Sequence, residues 1–547
     1  MSEAPARPMV ELTIDGRKVS VPDGTNVLEA AKLVGIRIPN FCYHPDLSVE
    51  GSCRMCLVTI EGRPKLAPSC SEPVKAGMVV RVSGQGAEQA EDARRAQLEF
   101  LLLNHPLDCP ICDQAGECKL QDYYVEHGRY QSRMPRGLKL HKRKVVDLGE
   151  RIMLDKERCV LCSRCVRFCR EVSESYALQF FTRGVTTEIG TENDGPITGD
   201  DYIGNVVDIC PVGALTSKDF RFKQRVWFLK SAESVCDHCS TGCNLRVDHK
   251  DGVVYRYVPR RNPEVNRSWM CDAGRDSYKL RQGPDRLEAP LVRAAGALAP
   301  ASWADALAAA EAAIRHGRGA IAALASPRAS TETLYAFRAF AREALQTKLV
   351  DYRVDGSHEK TKTMADKVLR HADPHPNNTG CDWLKLGQAA SVAAILDACE
   401  KGEVKTLYLL GPELLTRHPE PERVRRALGR VEHVIVHATH TSDALAPASV
   451  VLPDVTFLEM DGTFVNYQGR VQRFRRAYPA RGQASPAAAV LADLGKRLGA
   501  AVPSGSAEKL FDEMSTAESA FGGLRWNDLG LLGAQPGARQ AVAAGER

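Results

Sequence analysis

The sequence contains no apolar run long enough to span a bilayer, for which a helix needs about 20 apolar residues. Its first residues, MSEAPARPMVELTIDG, have neither a basic segment nor an apolar core, so no secretory signal is expected. The formal charge of +5 over 547 residues is small and argues against nucleic acid as the main partner. We therefore expect a cytosolic chain that associates with a membrane through partner subunits.

The composition shows no strong bias of any kind. Apolar residues make up 44% and charged residues 26% of the sequence, which is ordinary for a soluble globular protein. The length exceeds what one hydrophobic core supports, and typical domain sizes predict roughly three to five domains.

Cysteine is nearly absent from the second half of the chain, where Cys381 and Cys399 stand alone. The other cysteines lie at or before Cys271, in tight groups that long cysteine-free stretches separate. Thiols stay reduced in the cytosol, so grouped cysteines in a long chain indicate metal binding rather than disulfides.

The first group is spaced C-x10-C-x2-C-x13-C and comprises Cys42, Cys53, Cys56 and Cys70. A CxxC pair lets two thiolates of one tight loop reach the same iron-sulfur core, although four cysteines alone also permit zinc. The flanks predict a small β-rich fold, with strands in ELTIDGRKVSV, CLVTI and MVVRV and a short helix near Leu28. Residues 1–84 resemble a 2Fe-2S ferredoxin domain of the β-grasp type.

The second group follows the amphipathic segment AEQAEDARRAQLEFLLLNHP, which predicts a helix ending near Pro106. Its spacing is H-x3-C-x2-C-x5-C, and its members are His105, Cys109, Cys112 and Cys118. A lone histidine at a helix end is usually a surface or cap residue. Here three cysteines need a fourth ligand and no unclaimed cysteine is near, which favours His105. Residues 85–124 resemble the histidine-ligated 4Fe-4S domain shared by the large iron-sulfur subunit of complex I, iron-only hydrogenases and some formate dehydrogenases.

The third group is the bacterial ferredoxin run C-x2-C-x2-C-x3-C, formed by Cys159, Cys162, Cys165 and Cys169. In two-cluster ferredoxins the fourth cysteine of each run ligates the other cluster. The second run is degenerate here and retains only Cys210, which Pro211 follows. The crossover rule therefore predicts one 4Fe-4S site in residues 139–220, held by Cys159, Cys162, Cys165 and Cys210. Cys169 is then interpreted as a buried structural thiol.

The fourth group is spaced C-x2-C-x3-C-x27-C and comprises Cys236, Cys239, Cys243 and Cys271. Zinc ribbons use CxxC pairs at both ends, whereas this spacing favours a 4Fe-4S cluster. Residues 221–277 resemble the 4Fe-4S domain that opens molybdopterin-dependent oxidoreductases. The four sets are complete, and they leave Cys169, Cys381 and Cys399 unused.

The second half alternates between predicted helices and strands. SWADALAAAEAAIRHG begins with a capping pattern at Ser302 and stops at Gly317, and GAIAALAS, VKTLYLLG and EHVIVH are typical of buried parallel strands. This alternation predicts a doubly wound α/β domain over residues 278–547. The segment ASVVLPDVTFLEMDGTFVNYQGRVQRF resembles molybdopterin oxidoreductases.

Two kinds of cofactor site are not expected. Cys381 lacks the context of a molybdenum ligand, and the chain is short for a full pterin site, so we expect a degenerate domain without molybdenum. After MVVRV, Gly84 and Gly86 match the first two glycines of the dinucleotide fingerprint G-x-G-x-x-G. The fingerprint is incomplete, because Gln89 stands at the position of the third glycine. The sequence therefore predicts no flavin or NAD site in this chain. Basic residues at Lys139 to Lys144 and at Arg470, Arg473, Arg475 and Arg476 are interpreted as solvated or interface faces.

The order of the domains resembles that of the large iron-sulfur subunit, the G subunit, of respiratory complex I, and the chain is identified as a member of that family. The fold class is thus multidomain α+β and α/β, with one 2Fe-2S and three 4Fe-4S clusters. The resemblance implies an electron-transfer subunit of NADH-quinone oxidoreductase without a catalytic site of its own. Its implied partners are the FMN- and NADH-binding subunit, a 2Fe-2S subunit and quinone-side iron-sulfur subunits, at the cytoplasmic face of a bacterial inner membrane. Many members of the family are longer.

By the same resemblance, electrons pass from the first cluster to those at Cys159 and His105, and the fourth cluster lies off this route. The main alternative is a formate dehydrogenase catalytic subunit, which needs molybdenum. An iron-only hydrogenase would need further cysteines after the ferredoxin domain, and a zinc-stabilised scaffold would have no redox role.

Overall fold

The computed structural model describes residues 7–133, 135–354 and 365–537. These residues form two compact units, one up to Leu229 and one from Lys230 onward. The finer domain boundaries stay predictions, and each unit is considered by itself below.

The first unit opens with a five-stranded sheet that packs against a short helix. The elements are β1 (Met9–Ile14), β2 (Arg17–Pro22), α1 (Val27–Leu33), β3 (Leu57–Ile60), β4 (Ala67–Pro68) and β5 (Val79–Arg81). The strand order is β2-β1-β5-β3-β4, and β1 and β5 are parallel. Asp15 and Gly16 both have positive φ, which suits the tight turn between β1 and β2. This arrangement confirms the β-grasp prediction.

Two helices follow, α2 (Glu88–Leu102) and α3 (Lys119–His127). Helix α2 stops four residues before the predicted end at Pro106. The Nζ of Lys139 donates to the carbonyl oxygens of Leu102, Leu103 and His105 at 2.8, 3.0 and 2.8 Å. These carbonyls lie where a helix leaves acceptors unsatisfied, so Lys139 caps the helix. Lys139, which the sequence placed in a solvated or interface face, thus uses its ammonium group to bind these carbonyl oxygens within the chain.

The rest of the first unit consists of short elements. These are β6 (Val146–Asp147), β7 (Ile152–Leu154), α4 (Arg164–Glu171), β8 (Gln179–Phe181), β9 (Glu188–Gly190), α5 (Asn205–Ile209) and β10 (Leu215–Ser217). Strands β10, β7 and β6 form one sheet in that order, and β8 pairs with β9. Because regular structure is sparse here, long loops carry much of the polypeptide between α4 and α5.

The second unit begins with an antiparallel meander. It consists of β11 (Lys230–Val235), β12 (Asn244–Lys250) and β13 (Val253–Pro259), followed by α6 (Asp272–Asp276) and α7 (Tyr278–Arg281). Val235, Leu245 and Val247 are fully buried and pack into the same core cluster as Tyr257. The sheet thereby supports the loop between β11 and β12.

A seven-stranded sheet forms the centre of the second unit, in the order β15-β14-β20-β19-β18-β16-β17. Its strands are β14 (Leu291–Ala294), β15 (Ala297–Pro300), β16 (Ile321–Leu324), β17 (Val350–Asp351), β18 (Thr406–Leu410), β19 (His433–Ala438) and β20 (Val450–Pro453). The strands from β20 to β17 are parallel, and β14 and β15 are antiparallel. The three strands predicted in GAIAALAS, VKTLYLLG and EHVIVH are confirmed as β16, β18 and β19.

Helices surround this sheet, and a hairpin follows it. The helices are α8 (Trp303–His316), α9 (Thr331–Ala339), α10 (Asn378–Trp383), α11 (Val392–Glu400), α12 (Glu413–Arg417), α13 (Pro421–Leu428), α14 (Ala487–Arg497) and α15 (Ala507–Ala517). The hairpin pairs β21 (Gly462–Val465) with β22 (Val471–Phe474). Ser302 caps α8 by accepting from the amide of Asp305, and Gly317 ends it, as predicted.

A buried ion pair stabilises the second unit. The Arg286 Nη2 lies 2.6 Å from the Glu459 Oε2, and the side chains are 2% and 1% exposed. Glu459 also accepts from the backbone N and the hydroxyl of Thr456. Removing one partner of such a pair leaves an uncompensated buried charge, which costs about 3–5 kcal/mol.

We expect Glu459→Gln to destabilise the second unit by about 3 kcal/mol, because the Arg286 charge loses its partner. Denaturant unfolding followed by tryptophan fluorescence measures this change in the free energy of unfolding. The signal comes mainly from the second unit, because Trp227 is the single tryptophan of the first unit. The matched control is Glu422→Gln, which breaks the exposed pair with Arg425 and should leave the transition unchanged. Equal effects of the two substitutions would contradict the prediction.

Candidate metal centres

The first cysteine set lies in the loops around β3 and β4. Cys42, Cys53 and Cys56 precede β3, Cys70 follows β4, and all four side chains are buried. The Cys53 thiol donates to Cys42 and lowers the pKa of Cys42 to about 5, and Cys70 likewise lowers the pKa of Cys56 to about 7. The pKa values of the donors Cys53 and Cys70 are raised. Charge interactions also join the two pairs, so the four sulfur atoms form one group.

Backbone amides point at the same sulfur atoms. The amides of Phe41 and Cys42 donate to the Cys53 Sγ at 3.4 and 3.5 Å. Hydrogen bonds to cluster sulfur atoms are one of the means by which proteins set reduction potentials. The loop between α1 and β3 thus supplies both thiolate ligands and the donors that surround them.

The second set lies between α2 and the start of α3. Cys112 is buried, Cys118 directly precedes α3 and is half-buried, and Cys109 is exposed. Burial and the Lys139 ammonium lower the pKa of His105 to about 4, so its imidazole is neutral, which is the form that ligates metals. His105 and Cys112 both interact with the Arg158 guanidinium. The described contacts bring these residues into one region but do not join His105 directly to a cysteine sulfur.

Gly213 provides space for the second set. A Cβ atom at Gly213 would lie 2.3 Å from the Cys112 Sγ, so either this thiol or the backbone at residue 213 would have to shift. Gly213 follows Cys210 of the third set by three residues, so the two sets are packed against each other. The sequence pattern DICPVGAL contains this glycine but does not reveal its contact.

We expect Gly213→Ala to reduce the iron content by about four irons per chain, because it displaces one thiolate of a four-iron site. Iron analysis and electron paramagnetic resonance of the purified protein measure the loss. The control is Gly137→Ala, since no atom lies within 4 Å of a Cβ built there. Full iron content in the Gly213 variant would contradict the assignment of Cys112.

The third set lines one small cavity. Cys159, Cys162, Cys165 and Cys210 all face it, together with residues that include Val160, Ile189 and Ala214. Leu161 and Ser163 have positive φ and turn the loop around the cavity, and the Leu161 amide donates to the Cys159 Sγ at 3.4 Å. Burial raises the pKa of Cys210 to about 11. These thiols would stay protonated in the absence of a cation, and metal binding would release their protons.

Cys169 does not line this cavity. It lies on α4 with no exposed surface, and burial raises the pKa of its thiol to about 11. The interpretation of Cys169 as a buried structural thiol stays a prediction, and its placement agrees with the crossover rule.

The fourth set lines a second small cavity, which lies in the second unit. Cys236, Cys239, Cys243 and Cys271 face it. The Gly274 amide donates to the Cys271 Sγ at 3.3 Å, and Cys271 caps α6. A Cβ atom at Gly274 would lie 3.1 Å from the Cys236 Sγ and 3.3 Å from the Cys271 Sγ, so the absence of a side chain leaves room for both sulfur atoms.

Some residues around the fourth set could not be found from the sequence. Leu369 and Arg370 also line the cavity, although they lie far along the chain from the cysteines. The Thr241 hydroxyl donates to the Leu369 carbonyl oxygen at 2.7 Å and fixes this approach. No local motif surrounds Leu369, so only the tertiary fold reveals the contact.

The first three sets meet in one buried apolar cluster. Its members come from all three sets and their neighbours: Phe41, Cys42, Cys53, Met55, Leu98, Leu120, Tyr123, Val160, Cys162, Val212 and Ala214, with Cys118, Cys159 and Cys210 packed against it. Charge interactions join Cys42 to Cys162 and Cys118 to Cys210. Cysteines of the third set therefore lie close to both the first set and the second.

The two remaining cysteines lie in the second unit. Cys381 and Cys399 are fully buried in separate hydrophobic core clusters. Burial raises the pKa of Cys381 well above its ordinary value. Both behave as small apolar residues in this environment.

Five family models match the chain in consecutive segments. They are a 2Fe-2S iron-sulfur cluster binding domain (7–85), the NADH-ubiquinone oxidoreductase-G iron-sulfur binding region (94–133), the ferredoxin-like domain of NADH-quinone oxidoreductase subunit 3 (149–216), the molybdopterin oxidoreductase Fe4S4 domain (229–282) and molybdopterin oxidoreductase (286–377 and 368–497). The NADH-quinone oxidoreductase G subunit of Streptomyces coelicolor is 45% identical over 350 residues, which cover 64% of this chain and 41% of that protein. The chain belongs to the family of NADH-quinone oxidoreductase G subunits.

Other relatives in this family are nearly as similar. The mitochondrial NADH dehydrogenase [ubiquinone] iron-sulfur protein 1 of Solanum tuberosum is 44% identical over 304 residues, or 55% of this chain and 40% of that protein. The G subunit of Rickettsia bellii is 38% identical over 354 residues, or 63% and 51% of the two chains. The chain thus spans about half or less of the length of these relatives. Membership confirms the family resemblance and the fold class predicted from the sequence.

The described part of the chain has no helix that is both long and apolar enough to cross a membrane. The family models support 2Fe-2S and 4Fe-4S domains. They give no better support to the formate dehydrogenase alternative than to the G subunit of NADH-quinone oxidoreductase.

Proposed function

We propose that this chain is an electron-transfer subunit of NADH-quinone oxidoreductase, complex I. In the whole complex, electron transfer from NADH to quinone is coupled to proton translocation. The observation that carries the proposal is the buried cluster in which cysteines of the first three sets pack together. Electron transfer through a protein requires clusters that lie close together, and ligand sets that share one apolar core would place their clusters in this way.

Sixteen side chains would hold the clusters. The first set would bind a 2Fe-2S cluster, and the other three sets would bind 4Fe-4S clusters, with His105 as the one non-cysteine ligand. When bound, such clusters accept and release single electrons at potentials that the surrounding protein sets. The chain supplies the thiolates, the amide donors such as those of Phe41 and Cys42, and an apolar surrounding that limits water.

By resemblance to the family, electrons would enter at the first set, continue at the third and leave from the second, and the packing of cysteines from all three sets against one apolar cluster supports this proposal. The fourth set would lie off this route. The expected partners are the FMN- and NADH-binding subunit, a 2Fe-2S subunit and the quinone-side iron-sulfur subunits, at the cytoplasmic face of a bacterial inner membrane.

The same proposal assigns no molybdenum, flavin or NAD site to this chain. Cys381 is the one cysteine that the sequence offers as a molybdenum ligand, and its side chain is buried in the hydrophobic core. Oxidation of NADH would take place on the flavin-bearing partner, so this chain would contribute to the activity as a subunit.

A host strain in which Cys56 is replaced by Ser tests the function. We expect membranes to retain NADH oxidation with an artificial acceptor that takes electrons from the flavin subunit, and to lose quinone reduction. The control is Cys399→Ala, which changes a buried cysteine outside the four sets and should preserve both activities. Full quinone reduction in the Cys56→Ser membranes, or formate oxidation with molybdenum at about one per purified chain, would contradict the proposal.

A further inference from the structure

Two arginines in the first half of α4, Arg164 and Arg167, are buried. Arg164 is 5% and Arg167 is 1% exposed. Among the described residues, no carboxylate lies within hydrogen-bond distance of either guanidinium group. The nearest approach is that of Glu50 to Arg167, at 3.9 Å, and Glu50 is 39% exposed. A buried cation is costly unless other groups compensate its charge.

Arg167 connects the loops of the first and third cysteine sets. Its Nη2 donates to the carbonyl oxygen of Cys42 and, at 3.5 Å, to that of Cys162. Its Nη1 donates to the Ser48 carbonyl oxygen, and its Nε to the Ser163 hydroxyl at 3.0 Å. One side chain therefore touches the backbone of a ligand from each set.

Arg164 makes a second connection between the same loops. Its Nη1 donates to the carbonyl oxygen of Ile209, directly before Cys210, at 3.2 Å. Its Nη2 donates to the Tyr43 carbonyl oxygen, directly after Cys42, and to the Asn40 Oδ1 at 3.4 Å. Both arginines thus lie between the two ligand sets.

The sulfur atoms of these sets are the negative groups available to the two cations. Arg164 interacts electrostatically with Cys162, Cys42 and Cys210. A guanidinium group does not lose its proton in proteins, so its charge is fixed. A one-electron reduction adds negative charge to a cluster and forms or breaks no bond, and a fixed buried cation favours that reduced form.

We propose that Arg164 and Arg167 are positioning residues that hold the first and third ligand sets together and whose charges raise the reduction potentials of both clusters. This inference rests on the proposed function, because it assumes iron-sulfur clusters at these sets. The carbonyl contacts account for the positioning. The scarcity of carboxylates accounts for the electrostatic effect, because little else neutralises the two charges.

A redox titration of the assembled complex, followed by electron paramagnetic resonance, tests the proposal. In Arg167→Gln, we expect the ratio of reduced to oxidised cluster at a fixed potential to fall at least threefold for both clusters. A tenfold fall corresponds to about 59 mV for a one-electron couple. In Arg167→Lys, which keeps the charge, we expect both ratios to stay within threefold of the wild type.

The matched control is Arg170→Gln, which removes the same charge from the same helix. Arg170 is 51% exposed and pairs with Glu171, so solvent already screens it and neither ratio should change. If Arg167→Gln loses its clusters, Arg167→Lys tests the role of the charge instead. Retained clusters in Arg167→Lys, with ratios of reduced to oxidised cluster within threefold of the wild type, support that role.

Three results would overturn the inference. These are a change of less than threefold in cluster-loaded Arg167→Gln, a change of threefold or more in Arg167→Lys, and loss of the clusters in Arg167→Lys. Each leaves the proposed function intact. That function fails separately, if the wild-type protein shows no iron-sulfur signals at these sets.

Discussion

Replacing Cys210 with Ser should abolish the 4Fe-4S cluster of the third set, while replacing Cys169 with Ser should leave every cluster in place. Cys210 lines the cavity with Cys159, Cys162 and Cys165, and Cys169 does not. We expect quinone reduction to fall more than about 100-fold in Cys210→Ser, since changing even an outer partner of a metal ligand costs 10–100-fold. Electron paramagnetic resonance and NADH-dependent quinone reduction, both on assembled complex, measure the two effects.

Cys169→Ser is the matched control, because both cysteines belong to the ferredoxin pattern and both thiols have pKa values raised by burial. Loss of a cluster in Cys169→Ser together with its retention in Cys210→Ser would show that the crossover assignment is wrong. Cys169 would then have to complete the third site from α4.

Replacing Cys236 or Cys271 with Ser should lower the amount of assembled complex more than its rate of electron transfer. A metal centre closed by four protein ligands contributes to folding, because the site does not exist in the unfolded chain. The fourth set also organises the β11–β12 loop, α6 and the segment at Leu369 and Arg370. We expect the amount of assembled complex to fall by about tenfold or more, because the variant loses a large share of the free energy that cluster binding contributes to folding.

The measurement is NADH oxidation with an artificial acceptor and with quinone, each normalised to the amount of assembled complex. We expect the normalised quinone rate to stay within about twofold of the wild type. Loss of a structural site lowers the number of assembled complexes but leaves the activation barrier of electron transfer in each complex unchanged. A collapse of quinone reduction in fully assembled Cys236→Ser complex would instead place this cluster on the main electron path.

Local patterns in the sequence predicted those parts of the fold that depend on local chemistry. Ser302 and Gly317 set the ends of α8, and the apolar runs before Gly411 and around Val434 became central parallel strands. The crossover rule favoured Cys210 over Cys169 as a ligand, and Cys210 lines the cavity of the third set whereas Cys169 does not. The ligand assignment itself stays a prediction. Spacing succeeds for the helix ends and the strands because capping and strand burial depend on residues that are close in sequence.

Long-range contacts account for the features of the fold that the sequence did not predict. Helix α2 ends at Leu102, and the Lys139 Nζ binds the carbonyl oxygen of this residue from 37 positions further along the chain. Arg167 was visible as one more basic residue in a cysteine-rich helix, and nothing in the spacing indicated that it reaches Cys42. Such contacts depend on how separate loops pack, and a single sequence contains no periodic signal for them.

Metal and sulfide analysis of anaerobically purified protein tests the central claim most directly. One two-iron and three four-iron clusters amount to about 14 irons and about 14 acid-labile sulfides per chain. We predict these values, with zinc and molybdenum well below one per chain and four distinct cluster signals on reduction. Zinc in place of iron and sulfide, or molybdenum near one per chain, would contradict the account.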